Sequence, residues 1–265
     1  MVWYVVAIIA FAFIFDFSNG FHDSANSIAT IVGTRVLSPL AAVVWAAFFN
    51  FAALFTGGVA VARAVGGGMI EQSIVDPNVI FGALLGAILW NMITWYYGIP
   101  SSSSHALIGG YAGSAMAKAG TGAIVWGPKW VQTLSFIVVS PLVGFVAGFI
   151  LMVCCYWIFR RLNAARVDRV FRPAQLLSSA FLSYSHGGND AQKTMGIIVG
   201  LLVATKASFA NQVGWMHGLY VADFSVIPRW IEVSAYSAIS LGTLFGGWRI
   251  VHTMGSRSTK LRPIG

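Results

Sequence analysis

Ser18-Asn19-Gly20-Phe21-His22-Asp23 and Ser185-His186-Gly187-Gly188-Asn189-Asp190 are two versions of one block. Each runs on into the same apolar exit, Ile31-Val32-Gly33 and Ile198-Val199-Gly200. Six of sixteen positions match at a constant offset of 167, and each copy sets a carboxylate inside an apolar stretch. A charged Asp at the centre of a membrane helix costs about 2.5–3.5 kcal/mol on insertion scales, so such acids are rare and mark a site. Two copies of a costly acid indicate one site assembled from two halves.

The composition agrees with a membrane setting. Of the 265 residues, 57% are hydrophobic and 9% charged, against about 45–50% and about 25% in a soluble domain. No Asp, Glu, Lys or Arg occurs over 36–62, 77–117 or 130–159. A spanning helix needs about 20 such residues, so 77–117 holds two spans or a hairpin. The net charge of +8 does not indicate nucleic acid, because the basic residues lie between apolar segments and read as topology signals. Met1 leads straight into Val2 and Trp3 with no basic region, so the first segment reads as a retained helix. Cys154 and Cys155 are neighbours; on one helix they point different ways, which argues against a disulfide or metal pair.

Apolar segments fall at roughly 2–17, 39–62, 78–97, 101–119, 131–159, 174–203 and 228–250. The expected fold class is an all-α polytopic membrane protein, an inverted-repeat secondary transporter with broken helices and a re-entrant hairpin. Its parts are a first repeat over 1–159 with the hairpin near 78–119, a basic cytoplasmic loop over 160–173, and a partial second, inverted repeat over 174–265. Arg160, Arg161, Arg166, Arg169 and Arg172 put that loop on the cytoplasmic side, and counting back places the N-terminus outside. The Asp23 and Asp190 segments then run in opposite directions. A weaker echo links Gly57-Gly58 and Gly66 to Gly246-Gly247 and Gly255 at an offset of 189. The larger offset places an insertion of about 22 residues around Lys206–Arg229, read as an interfacial loop or an irregular helix.

Three motifs carry chemistry. Pro100-Ser101-Ser102-Ser103-Ser104-His105 stands between two apolar segments. Proline cannot continue the preceding helix and serine caps the next, so a helix starts at membrane depth and offers free N–H groups and hydroxyls to an anion. The alternative is a serine-rich turn between two full spans. Beside the aspartates, Gly20 and Gly187-Gly188 permit broken backbone with free carbonyls, and Asn26 and Asn189 add neutral oxygens, a cage suited to a hard cation such as sodium. The bland alternative is two acids hydrogen-bonded between helices. Asp16 is left open as a further member. Lys193, three residues after Asp190, either neutralises it or touches an anionic substrate. His22, His105 and His186 read as hydrogen-bond partners of these motifs rather than proton carriers.

These elements define a transport logic. A divalent oxyanion cannot share a dry pocket with two bare carboxylates unless cations accompany it, so substrate and cation bind together. The stretch 16–27, the motif 100–105 and His186-Gly187-Gly188-Asn189-Asp190-Ala191-Gln192-Lys193-Thr194 resemble the inorganic phosphate transporter (PiT) family along essentially the whole chain. The resemblance implies a carrier, not an enzyme, that moves inorganic phosphate with sodium or protons across the cell membrane. It implies that Asp23, Asn26, Ser101, Ser102, Ser103, Ser104, Asn189, Asp190 and Thr194 line the phosphate and cation sites; the serines, Asn189 and Thr194, with Lys193 beside them, are assigned to phosphate, and Asp23, Asn26 and Asp190 to the cation. No cofactor, no metal beyond sodium and no nucleic acid are expected; the lipid bilayer is the partner, and a homodimer is compatible with the reading. The family's second Pro-Ser-Ser/Thr-Thr-His hairpin is missing, so the second repeat is expected to be incomplete. A non-transporting fragment, or a partner subunit of a split phosphate or sulfate permease, therefore stays open as an alternative. An intramembrane serine hydrolase is disfavoured, since no Gly-x-Ser-x-Gly elbow occurs.

Overall fold

The computed structural model describes residues 1–59, 62, 69–225 and 227–258. Among them the chain is helical, with a single isolated bridge between Ile70 and Ile124 in place of any sheet. The helices are α1 (Val2–Gly33), α2 (Pro39–Ala52), α3 (Pro77–Tyr97), α4 (Ser103–Ala119), α5 (Pro128–Phe159), α6 (Ala164–Ala204), α7 (Arg229–Phe245) and α8 (Trp248–His252). Their starts follow from short polar caps and prolines. Ser38 caps α2 and Asp76 caps α3, each followed by proline, whose fixed φ suits the first helical position. Among the described residues three helices, α1, α3 and α5, are long and apolar enough to cross a membrane.

The centre of the molecule is the crossing of α1 and α6. Asn19 meets Asp190, Ser27 meets Ser179 and Thr34 meets Gln175. Positions that rise along one helix meet positions that fall along the other, so the two copies of the repeated block run antiparallel. Each copy also packs on one partner helix in a matching way. Gly20 lies so close to the backbone of Ile239 on α7 that a Cβ would overlap its carbonyl, and Gly187 stands in the same relation to Asn50 on α2. The two glycines differ by 167 and their partners by 189, the two offsets read from the sequence. Around this crossing Ile8, Phe15, Leu84, Ile198, Leu202 and Ile239 form a continuous buried core. By contrast α5 has no buried residue along its 32 positions.

Two expectations are corrected. Neither α1 nor α6 is broken beside its aspartate; both continue through Gly20 and through Gly187-Gly188. Glycine there serves close helix approach, and the backbone carbonyls stay in the helical ladder. The backbone breaks lie elsewhere, between α3 and α4 and at Gly246-Gly247 between α7 and α8. The basic stretch 160–173 is a loop only at its start: Asn163 caps α6, which begins at Ala164 and carries Arg166, Arg169 and Arg172 as helix residues. Arg172 pairs with Asp168 one turn earlier, at 3.0 Å. The insertion around 206–228 is irregular, with short 3-10 turns at Lys206–Ser208 and Gly214–Leu219. Gly66 of the weaker glycine echo lies outside the described residues.

Candidate substrate and cation site

Helix α3 stops at Tyr97 because Gly98 takes the left-handed conformation, φ 67°. The chain turns through Pro100, and Ser102 caps α4 by accepting from the His105 N–H at 3.3 Å. The first N–H groups of a helix have no intrahelical acceptor and carry the positive end of its dipole. That end of α4 meets the α1/α6 crossing. Ser103 Oγ donates to Asp23 Oδ1 at 3.2 Å, and Ser104 Oγ donates to Asp190 Oδ2 at 3.3 Å. One serine thus reaches each half of the repeat.

The donors around the acids fix where protons and charges lie. Lys193 Nζ donates to Asp190 Oδ1 at 2.5 Å and also contacts Ser104 Oγ. Asn19 Nδ2 donates to Asp190 Oδ2 at 3.2 Å. His22 Nδ1 lies 2.9 Å from Asp23 Oδ1, and its Nε2 lies 2.9 Å from Thr94 Oγ1. With hydrogen on Nδ1, His22 donates to Asp23 and accepts from the Thr94 hydroxyl at Nε2. His22 and Lys193 are thus the basic side chains in hydrogen-bond contact with Asp23 and Asp190.

His186 stands between the two acids, its Nε2 3.8 Å from Asp23 Oδ2 and 3.8 Å from Asp190 Oδ2. Its Nδ1 lies 3.2 Å from Asn50 Oδ1, while Asn50 Nδ2 donates to Thr243. Asn50 Oδ1 is thus the acceptor and His186 Nδ1 carries hydrogen. Nε2, which has no hydrogen-bond partner, faces both carboxylates at 3.8 Å. One ligand atom from each of Asp23, His186 and Asp190 lies within 4.8 Å of the others. The carboxylates and serine hydroxyls suit a hard cation, whereas the imidazole nitrogen is a softer ligand.

Not every expected residue joins this cluster. Asp23, Ser103, Ser104, Asp190 and Lys193 do. Ser102 is spent on the cap, and Ser101 accepts from Trp90 Nε1 at 2.9 Å. Asn26 and Asn189 are exposed; neither hydrogen-bonds to an aspartate, and Asn189 donates to Ser185 instead. Thr194 is buried and makes no hydrogen bond to Asp190. His22 and His186 belong to the centre as the hydrogen-bond partners expected, while His105 is exposed. Sequence reasoning missed Thr94, Asn50 and Thr243. Their signal was present: each is a polar side chain in an otherwise apolar run.

Comparison with known proteins gives a concordant result. The sequence matches the phosphate transporter family over residues 19–167 and 160–265. A probable low-affinity inorganic phosphate transporter of Rhizobium meliloti is 52% identical over 260 residues, 98% of this chain and 74% of the relative. One from Bacillus subtilis is 43% identical over 98% of this chain and 74% of its own. In fold, the structure resembles a solved sodium-dependent phosphate transporter with a TM-score of 0.81 at 22% identity, covering 98% of this chain and 80% of that one. These matches set aside the hydrolase reading and make the chain a multi-pass membrane protein that belongs to the phosphate transporter family.

Proposed function

We propose that the chain carries inorganic phosphate across the cell membrane together with a cation, sodium or a proton. The supporting observation is the meeting of Asp23 and Asp190, from antiparallel copies of one motif, beneath the N-terminal end of α4. Phosphate binds at that end, on the N–H groups and hydroxyls of Ser103 and Ser104, with Lys193 beside it. Two bare carboxylates about 5 Å apart repel by roughly 3 kcal/mol at an effective dielectric of about 20, before a divalent anion is added. Lys193 offsets part of this, and the cation between the acids offsets the rest. Anion and cation each favour the other's binding, which is the requirement for symport.

The two halves of the repeat, 1–159 and 174–265, act as inverted units, with α3–α4 as a re-entrant hairpin. The N-terminus lies outside and the basic stretch after residue 160 lies in the cytoplasm, as the positive-inside rule directs. The test is uptake of labelled phosphate into proteoliposomes carrying the chain. Accumulation is expected only under an inward sodium or proton gradient and is abolished by Asp190→Asn. Uptake unchanged by that substitution would remove the aspartates from the mechanism.

A further inference from the structure

The second repeat reaches the tip of the α3–α4 hairpin through one charged side chain. Helix α7 ends at Phe245, the chain breaks at Gly246-Gly247, and α8 then brings Arg249 to the end of α3. Arg249 Nη1 donates to the Tyr96 carbonyl at 2.7 Å. In a continuing helix that carbonyl would accept from the N–H of residue 100, but residue 100 is proline and has none. Arg249 supplies the missing donor. Its guanidinium also stacks over the Trp95 and Tyr96 rings, 5.0 and 4.8 Å from their centroids. The turn itself packs on α8: a Cβ at Gly98 would come within 2.9 Å of Thr253 Oγ1 and 3.3 Å of the Arg249 carbonyl.

The start of α8 is fixed to the turn of α1 that presents Asp23. The Gly247 N–H donates to Ser24 Oγ at 2.8 Å, and a Cβ at Gly247 would come within 2.7 Å of the Phe21 carbonyl. Phe21 in turn packs on Trp95, ring centroids 5.2 Å apart. Within three residues, then, the chain grips the Asp23 turn at Gly247 and the hairpin at Arg249. This places Arg249 at the depth of the Asp23 turn, where a charged side chain is costly and marks a function. The hairpin has few other polar ties there. Beyond Pro100 it holds Ser103 and Ser104 against the two aspartates through bonds of 3.2 and 3.3 Å.

We propose that Arg249 is a positioning residue: it clamps the proline-broken end of α3 to the Asp23 turn and so sets where Ser103 and Ser104 stand. Its effect on transport rests on the phosphate reading above, whereas its effect on the hairpin does not. Two measurements separate them: hydrogen exchange of the purified chain in lipid nanodiscs, and initial phosphate uptake in proteoliposomes. Arg249→Met keeps the length of the side chain and removes charge, donor and stack. It should raise amide exchange over 98–106 by about tenfold or more while 16–27 changes little. The phosphate KM should rise by a similar factor with kcat within about twofold, because saturating phosphate orders the hairpin itself. Arg249→Lys keeps a donor and a charge without the planar face, so it should fall between the two. Should Arg249→Met fail to fold, Arg249→Lys decides by the same two readouts. Unchanged exchange over 98–106, or exchange raised along the whole chain, would overturn the proposal. A raised KM with unchanged exchange would make Arg249 an attracting charge only, and raised exchange with unchanged KM would leave the serines independent of it; either outcome overturns it too. A wild type that takes up no phosphate would sink the transport reading instead, and the exchange over 98–106 then decides the clamp alone.

Discussion

Replacing Lys193 by methionine removes the one ammonium at the centre while keeping a side chain of similar length. Lys193 Nζ sits 2.5 Å from Asp190 and touches Ser104, and a ligand oxygen of Asp23 lies within 4.8 Å of one on Asp190. A unit charge about 5 Å from an anion is worth roughly 3 kcal/mol per unit of anion charge at an effective dielectric of about 20. Losing it should weaken phosphate binding by about a hundredfold or more at low cation concentration. A cation from solution can take the vacated place beside Asp190, so the loss should be recovered as sodium or proton concentration rises. The assay is initial uptake in proteoliposomes across a matrix of phosphate and cation concentrations. The expected outcome is a raised apparent KM at low cation and a steeper cation dependence than the wild type shows. An unchanged KM with unchanged cation dependence would refute the assignment of Lys193 as a built-in cation.

Helix packing gives an internally controlled series. Gly20→Ala and Gly187→Ala place a methyl against the backbone of Ile239 and Asn50, where neither side can yield, so each should destabilise by about 1–3 kcal/mol. Gly188→Ala meets only Ala53 Cβ at 3.7 Å, and Gly144→Ala meets nothing within 4 Å; both should be neutral or gain a few tenths of a kcal/mol in thermal-shift measurements. At the α3 cap, burial pushes the Asp76 carboxyl up, but the Lys118 ammonium at 2.8 Å and the Val79 N–H at 2.9 Å more than offset it and hold it below the usual value. A depressed folded value means that Asp76 contributes stability above about pH 4 that fades as pH falls through its folded value. The pair is partly solvated, so Asp76→Asn should cost at most about 1 kcal/mol at neutral pH, less in high salt and nothing in strong acid.

The repeated block made the antiparallel crossing legible, because a fixed offset plus the basic run after Phe159 settles the relative direction of two segments. The start of α4 was equally legible: serine after proline has few roles besides a cap, and Ser102 fills it. Glycine was ambiguous. It allows a broken helix and it allows close approach, and only the position of Ile239 and Asn50 shows that Gly20 and Gly187 serve the second purpose. The exposure of Asn26 and Asn189 was hidden for a related reason, since a helix's own pattern does not state which neighbour covers each flank. His186 was recognised as a partner, but its position between both acids depends on Asn50 and Thr243, residues far away in sequence that orient its ring. The length of α6 is not legible from charge, because arginine marks loops but is also a good helix former, and here Asn163 supplies the cap.

The central claim is that phosphate is held where the two halves meet, between Ser103, Ser104 and the Asp23–Asp190 pair. An experimentally determined structure of the protein equilibrated with phosphate and sodium tests it most directly. Tetrahedral density at the first turn of α4, within hydrogen-bond reach of Ser103 and Ser104 and beside Lys193, is the result expected. Phosphate bound elsewhere, with the α1/α6 crossing closed and bare, would contradict it.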